Sequence, residues 1–400
     1  MAEHRGAVQL YIALSKAGAR EDGAKNIDGD PCGNEGRAPA AGDLQPSGTA
    51  MTAGGPVPFA GNILDNPDML WMDDQWTREE EEEALRCVEE KGPPVSQFWR
   101  DKYEREARKS WDLFYRRNAG NFFKDRHYLG KVFPELNETK EDSDFAKRLE
   151  EIPVIRTKLD ESGPETGQRT TTPRPAAGRL GRKTLLELGC GVGNAVFPLL
   201  EENRGLYVIA LDLSPRGIEV LKQHPMYSCG RCEAAVLDAT SDDLPSSVLE
   251  DGGVDLVLLQ FSLSAVAPKD MAAVARLVEK ALKPGGKLLI RDYGRHDEAQ
   301  LRFAKGRRLG DNVYVRQDGT TSYFFTLEDL RRLFSYGSTS GTGRKDDAPN
   351  SGDLDFGEGA SLVEEELSYV RRQYANRGQK VARRRVWVHG KFRKPFSTSS

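Results

Sequence analysis

Leu185-Leu186-Glu187-Leu188-Gly189-Cys190-Gly191-Val192-Gly193-Asn194 is an apolar strand that runs straight into glycines at alternate positions, with a helical stretch behind them. Alternate glycines let the backbone turn sharply and approach a ligand with no Cβ in the way, and the following helix offers unpaired N–H groups. The stretch therefore predicts a nucleotide-type cofactor loop, with a purely structural glycine turn as the competing reading. A dinucleotide fingerprint needs the spacing G-x-G-x-x-G/A. Here the third glycine is Gly193 and the sixth position is Asn194, which disfavours a pyrophosphate ligand.

Glu-x-Gly-x-Gly-x-Gly resembles motif I of the class I S-adenosylmethionine methyltransferases, and the next elements follow the same plan. Leu206 to Leu213 is an apolar strand holding Asp212 near its end, about twenty residues past the glycines, where a carboxylate can accept both hydroxyls of a ribose. Asp212-Leu213-Ser214-Pro215 also reads as a helix start, and both roles are compatible. The strand Glu233 to Leu237 leads to Asp238-Ala239, which the resemblance places beside the adenine; Asp238 as a plain turn residue is the alternative. Val254 to Phe261 is almost wholly apolar, as a strand covered on both faces should be, and its exit carries Gln260-Phe261-Ser262, which the resemblance places beside the cofactor's methionine end. A helix from about Lys269 to Leu282, the turn Lys283-Pro284-Gly285-Gly286 and the strand Lys287 to Arg291 follow.

Four hundred residues exceed what one such domain needs. The surplus is compositionally biased, and the expected organisation is as follows: a disordered extension over 1–65, an N-terminal helical region over 66–160, a disordered insertion over 161–182, a methyltransferase domain over 183–394 with a second disordered insertion at 338–359, and a short tail over 395–400. No stretch of eighteen apolar residues occurs, so no membrane span is expected. Five cysteines suit reduced thiols in a cytoplasmic or nuclear enzyme. An organellar presequence is disfavoured by Glu3 and the acids from Glu21 onward. Cys229-Gly230-Arg231-Cys232 is a single pair without a second, so no metal site is expected. The net charge of −4 hides segregation: Glu79 to Glu83 is acidic, whereas Arg371 to Lys394 holds ten Lys/Arg and no Asp or Glu. A basic face of that kind suits a nucleic-acid partner, although a solvated strand edge has the same composition.

Gln97 to Gly120 reads as an amphipathic helix in which Phe98, Tyr103, Trp111, Phe114 and Tyr115 lie among Arg100, Arg105, Arg108, Lys109, Arg116 and Arg117. Rings stack on bases while Arg and Lys hold phosphates; as pattern alone, aromatics at helical spacing are more often core. Trp111-Asp112-Leu113-Phe114-Tyr115-x-x-Asn118 followed by Asn121-Phe122-Phe123-Lys124-Asp125-Arg126-His127 is similar to the N-terminal signature of the tRNA 3-methylcytidine methyltransferases, which act on cytidine 32 of the anticodon loop. The same family's pattern recurs in Ser214-Pro215-Arg216, Leu263-Ser264-Ala265-Val266, Arg291-Asp292-Tyr293-Gly294, Asn312 to Thr320, Tyr323-Phe324-Phe325, Asn376-Arg377 and Arg385-Val386-Trp387.

That resemblance implies an α/β, Rossmann-like fold: a seven-stranded, mostly parallel sheet with helices on both faces, its last strand antiparallel, behind an N-terminal helical RNA-binding extension. It implies S-adenosylmethionine as cofactor, with Trp111 and Tyr115 as a lid and Gly189, Gly191, Asp212, Asp238, Ala239 and Gln260 lining the pocket. Ala239 and Gln260 depart from the leucine and the aliphatic residue usual there. It implies the anticodon stem-loop of tRNA as partner; some relatives are served by an aminoacyl-tRNA synthetase or an accessory subunit. Phe122, Phe123, Tyr293 and Tyr314 are candidate platforms for an unstacked base, and Lys124, Arg126, His127, Arg291, Arg316 and Arg377 candidate RNA contacts. His127 reads equally as a buried helix-end histidine. Cytosine N3 keeps a lone pair in the neutral base, so methylation needs placement rather than a general base. Asp292, at the end of the fifth strand, is the candidate carboxylate facing the developing positive charge, or else a structural partner of Arg291 or Arg295. Methylation of another RNA, a protein or a small molecule, and a catalytically silent tRNA-binding subunit, are the alternative functions.

Overall fold

Strands without polar alternation must be covered on both faces, and the computed structural model of the chain covers them with helices. It describes residues 71–118, 122–151, 179, 181–335, 356–376 and 380–396. The expected N-terminal extension, most of both insertions, Arg377 and the last four residues lie outside that set.

The main sheet has eight strands: β1 (Trp71–Asp73), β2 (Lys183–Leu188), β3 (Leu206–Asp212), β4 (Cys232–Val236), β5 (Val254–Gln260), β6 (Leu282–Tyr293), β10 (Val363–Asn376) and β11 (Val381–Arg393). Their order is β1-β10-β11-β6-β5-β2-β3-β4. β2 to β6 are mutually parallel, and β11 is antiparallel to β6 and β10, as expected of the last strand. Between them β7 (Arg308–Gly310), β8 (Val313–Val315) and β9 (Thr321–Tyr323) make a separate small sheet. The described α-helices longer than four residues are α1 (Arg78–Glu89), α2 (Gln97–Arg105), α3 (Ala107–Asn118), α4 (Lys140–Glu151), α5 (Val196–Glu202), α6 (Pro215–Lys222), α7 (Pro268–Ala281) and α8 (Leu327–Phe334).

Period-two alternation sends the strand residues into two cores. Leu186, Leu188, Tyr207, Ile209 and Leu211 join the core that α7 covers through Met271, Val274, Ala275, Val278 and Ala281. Leu185, Leu206, Val208 and Ala210 join the opposite one with Val196, Leu199 and Leu200 of α5. The chain winds one way from β2 through β3 to β4 and the other way through β5 and β6. The crevice at the carboxyl ends of β2 and β5 is therefore the switch point where an open α/β sheet binds its ligands.

Three features differ from the sequence expectation. The predicted helix 97–120 is two helices, broken at Glu106 (φ −94°, ψ 5°). α3 buries Ser110, Phe114 and Tyr115, whereas α2 buries nothing, so the chain changes direction where docking begins. The Pro-Gly-Gly turn is absorbed into β6 as an irregular start, with a register shift against β5 between Val254 and Leu256. The eighth strand, β1, is three residues long and has no readable alternation; it adds to the edge of β10.

Candidate active site

Gly189, Gly191 and Gly193 all adopt positive φ (78°, 57° and 92°), the left-handed region that favours glycine. A Cβ on Gly189 would lie 2.4 Å from the Ser262 Cβ, and one on Gly191 would lie 2.6 Å from the Tyr115 hydroxyl. The turn is bare because the exit of β5 packs on one side of it and α3 on the other. Asp212 holds it from behind: Gly191 N–H donates to Oδ2 at 2.7 Å and Ser214 N–H to Oδ1 at 2.8 Å. Burial pushes the Asp212 carboxyl up to about 6, against those two amides, which lower it, and with Asp112, which raises it. Each carboxylate oxygen retains capacity for another donor.

Tyr115 is 6% exposed and lies against Gly191 and against Gly217, where a Cβ would sit 3.2 Å from its ring. Burial lifts its hydroxyl well above the usual range, so it remains a phenol. Trp111 packs over Tyr115 at 5.9 Å and on Phe114 at 5.3 Å. The helix is clamped by Asp112, whose Oδ1 accepts from the Ser214 hydroxyl and, at 3.4 Å, from Arg216 N–H. A carboxylate from α3 thus sits at the N-terminus of α6, where the helix dipole favours it.

The segment after α3 returns onto the glycine turn. Asn194 donates to the Phe123 carbonyl (3.2 Å) and to Asp125 (3.1 Å), and Arg126 N–H donates to the Asn194 carbonyl (2.8 Å). Arg126 is 9% exposed, with its guanidinium 5.2 Å from the centre of the Phe261 ring. Its Nη1 donates to the Tyr128 hydroxyl, which also accepts from Gln260 Nε2 at 3.0 Å. Arg291 lies over Trp387 (4.6 Å) and Tyr128 (5.8 Å); burial lowers it to about 10, which still leaves it cationic at neutral pH. Arg385 lies over Tyr293 and Trp387 and is neutralised by Asp297 at 2.8 Å. Phe261 is a bulky residue at φ 54°, a strained conformation of the kind that persists where the surroundings over-determine it. It sets its ring 5.1 Å from that of Tyr293. The result is a chamber of rings and guanidiniums at the carboxyl ends of β5 and β6, beside the Gly189–Ser262 contact.

Three buried acceptor atoms in this region have no hydrogen-bond partner among the described residues: Glu187 Oε2, Gln260 Oε1 and Ser262 Oγ. Buried polar atoms are normally satisfied. Three orphans around a bare glycine turn and a ribose-type carboxylate fit a nucleoside cofactor with donor groups. Burial pushes Glu187 up to about 8 despite the Arg126 charge beside it. No group of His, Cys, Asp and Glu among the described residues is placed to hold a metal ion.

The family described as "Methyltransferase domain" matches residues 186–288, the stretch from the glycine turn to the start of β6's core. The tRNA N(3)-cytidine methyltransferase METTL6 of Mus musculus is 42% identical over 316 residues, covering 79% of this chain and 90% of that protein. The human METTL6 is 40% identical, covering 79% and 89%. The tRNA N(3)-cytidine methyltransferase METTL2 of Xenopus tropicalis is 36% identical over 348 residues, covering 85% and 95%. The chain is a member of the tRNA N(3)-cytidine methyltransferase family.

The residues that the family pattern singles out divide into three sets in the fold. Tyr115, Gly189, Gly191 and Asp212 meet at the turn, with Trp111 above them. Asp238 and Ala239 stand half-buried after β4, where the Asp238 Oδ1 accepts from Thr240 N–H and hydroxyl, as in an Asx turn. Arg126, Gln260, Arg291, Tyr293 and, at its edge, Arg316, 5.7 Å above Tyr293, form the chamber. Phe122, at 39% exposure, and Phe123 pack edge-on beside Phe114 at its rim, and Lys124 is exposed there.

Other sequence expectations meet a different geometry. Tyr314 is fully buried and stacked on Phe303 at 4.8 Å, so it offers no platform to a base. His127 is exposed, not buried, and turns to Glu202 at 3.0 Å. Asp292 is fully buried; Ser264 N–H and Tyr293 N–H take its two oxygens at 2.9 and 2.8 Å, and neither Arg291 nor Arg295 is its hydrogen-bond partner in those contacts. Arg126 and Arg291, expected to reach phosphates, are sunk among rings. Sequence reasoning missed Tyr128, Glu187, Arg385 and Trp387 as site residues. The tRNA-family signature holds Tyr128 next to His127, and Arg385 with Trp387 in one motif, but nothing in one dimension marks them as neighbours of β5 and β6.

Proposed function

We propose that this chain transfers the methyl group of S-adenosylmethionine to N3 of cytidine 32 in the anticodon loop of tRNA. The observation that carries the reading is the meeting of arm and turn: through Asn194 the aromatic, cationic segment 122–128 is tied to the glycine loop, so a base entering the chamber lies beside a donor held there. Asp212 would accept the ribose hydroxyls, Asp238 the adenine amino group, and Trp111 with Tyr115 would cover the nucleoside. Gln260 and Glu187 supply acceptors for the amino groups of donor and pyrimidine. When bound, the cofactor supplies an electrophilic methyl on a cationic sulfur.

The protein's share is placement. Phe261 and Tyr293 offer faces to the extruded pyrimidine, and Arg126 or Arg291 donates to its O2. This holds N3 in line without a proton to remove. Ring faces stabilise the positive charge that grows on the base, and Asp292, by fixing Ser264 and Tyr293, positions them rather than touching substrate. Unstacking a loop nucleotide costs a few kcal/mol, roughly, which contacts in such a pocket must offset.

The test is methyl transfer from labelled S-adenosylmethionine to purified tRNA, followed by nucleoside digestion. Transfer is expected to saturate, to yield 3-methylcytidine, and to fall to background on tRNA carrying uridine at position 32. Undiminished transfer to the uridine form would assign the activity to another nucleotide.

A further inference from the structure

The basic run near the chain end is not a solvated edge. Trp387 of β11 is opposite Tyr293, the last residue of β6. Val381 to Val386, paired with Arg371 to Asn376 of β10, therefore continue past the carboxyl end of the sheet, overhanging it by about 20 Å at about 3.3 Å per residue. This overhang starts at the chamber: Arg372 is opposite Arg385, whose guanidinium is 5.8 Å from the Tyr293 ring.

Three arginines of the overhang are occupied by one acidic segment of the same chain. Arg371 pairs with Glu81 at 3.0 Å, Arg372 with Asp73, and Arg384 with Glu80 at 2.6 Å and with Asp74 at 3.5 Å. Arg371 and Arg384 also lie 5.7 and 5.6 Å from the centre of the Trp76 ring. The segment thus presents what a nucleic-acid strand presents, anionic groups flanking a flat ring, to guanidiniums that hold both. The arginine side chains keep 31–41% of their surface exposed. Ion pairs this exposed contribute little and are screened by salt, whereas a polyanion gains by releasing its counterions when it replaces them. Asp74 differs from its neighbours: it is buried, accepts from Trp76 Nε1 and Gln373 Nε2 at 2.8 Å each, and anchors the segment at one end. The backbone of the segment is thus anchored by β1 on β10 and by Asp74, whereas the carboxylates of Asp73, Glu80 and Glu81 meet the arginines only through exposed pairs.

We propose that Arg371, Arg372 and Arg384 form a binding rail for the sugar-phosphate backbone of the RNA substrate, which the carboxylates of Asp73, Glu80 and Glu81 cover in the free protein and release when RNA binds. The proposal rests on the reading that the substrate is tRNA.

Glu80→Gln/Glu81→Gln in the full chain tests it. Glutamine keeps the capping box in which Glu80 Oε2 accepts from Thr77 N–H, so the helix start survives while two charges leave the rail. The measurements are the tRNA Kd at two salt concentrations, the S-adenosylmethionine Kd and Tm. The variant is expected to bind tRNA about 5-fold tighter at low salt with cofactor affinity unchanged, and Asp73→Asn, which unpairs Arg372 at an exposed site, to shift affinity the same way by a smaller factor. Adding Arg371→Gln/Arg384→Gln is expected to weaken tRNA binding more in the variant than in the wild type. Unchanged or weaker tRNA binding with a lowered Tm would make the segment a structural strap and overturn the rail. A wild-type chain that binds no tRNA would instead overturn the substrate reading, a separate outcome of the same titration.

Discussion

Asp212→Asn is expected to weaken S-adenosylmethionine binding by about 100-fold or more while the protein stays folded. The wild-type carboxylate has both oxygens on backbone amides of the loop it serves, Gly191 and Ser214. It is therefore fixed in place before any ligand arrives, and two charge-assisted bonds to ribose hydroxyls, at roughly 1.5–3 kcal/mol each, cost little ordering. Asparagine keeps the shape but turns one acceptor into a donor facing an N–H. One loop amide is then left unpaired, and the surviving oxygen is neutral. Burial has pushed this carboxyl up to about 6, which gives the wild type a pH signature. Cofactor affinity should be level above pH 7 and should fall as the group is protonated below about 6, approaching tenfold per pH unit. In Asp212→Asn that slope should vanish. Calorimetry across pH 5 to 8 reads both effects; affinity within threefold of wild type at pH 7.5 would remove Asp212 from the ribose site.

Arg126→Met should lower kcat for tRNA methylation by about 100-fold, whereas Phe122→Ala should raise the KM for tRNA several-fold and leave kcat alone. Sequence alone put both residues at the RNA surface. The fold separates them. Phe122 stands at the rim, 39% exposed, against Phe114 and Phe123. Arg126 lies inside, over Phe261, bonded to Tyr128 and next to the buried Glu187. Methionine fills much of its volume but leaves Glu187 without its cationic neighbour and removes one of the two donors to the Tyr128 hydroxyl. A modest loss of cofactor affinity should accompany the loss of kcat, because Glu187 lies two positions before Gly189, the first glycine of the turn. A change confined to KM for tRNA would return Arg126 to the role of a phosphate contact.

The parts of this molecule that were legible in its sequence are those where one chemical requirement dominates a short window. Strands β2, β3 and β5 could be read because burial on both faces forbids polar alternation, and the glycine turn because positive φ at Gly189, Gly191 and Gly193, with a neighbour where each Cβ would sit, favours glycine. Asp212 could be read because strand length fixes its distance from that turn. The breaks in legibility have equally specific causes. The helix 97–120 carries helix-compatible residues throughout, and what divides it at Glu106 is the docking of α3 on α6, a tertiary contact. Tyr314 and Tyr293 look alike as aromatics after the fifth strand, yet the small sheet β7–β9 stacks the first on Phe303 and leaves the second beside Phe261. Asp292 has the position expected of a ligand-facing carboxylate, but the turn at Ser264 supplies a backbone donor that turns it inward. The ten basic residues of 371–394 read as a surface, and the acidic partners that three of them, Arg371, Arg372 and Arg384, find in 73–81 lie about three hundred residues away.

The family places the chemistry on a cytidine, and the central claim proposed for this chain is that the cytidine enters the chamber beside the glycine turn. Photo-crosslinking of the full chain to tRNA carrying 4-thiouridine at position 32, with peptide mapping of the adduct, asks this directly. The expected attachment is to the chamber, at Phe261, Tyr293 or the 122–128 segment, and it should be lost when the base is moved out of the loop to a paired position. Attachment confined to the far edge of the sheet around β4, or to the amino ends of β2 and β3, would contradict the arrangement of arm, turn and chamber on which the mechanism depends.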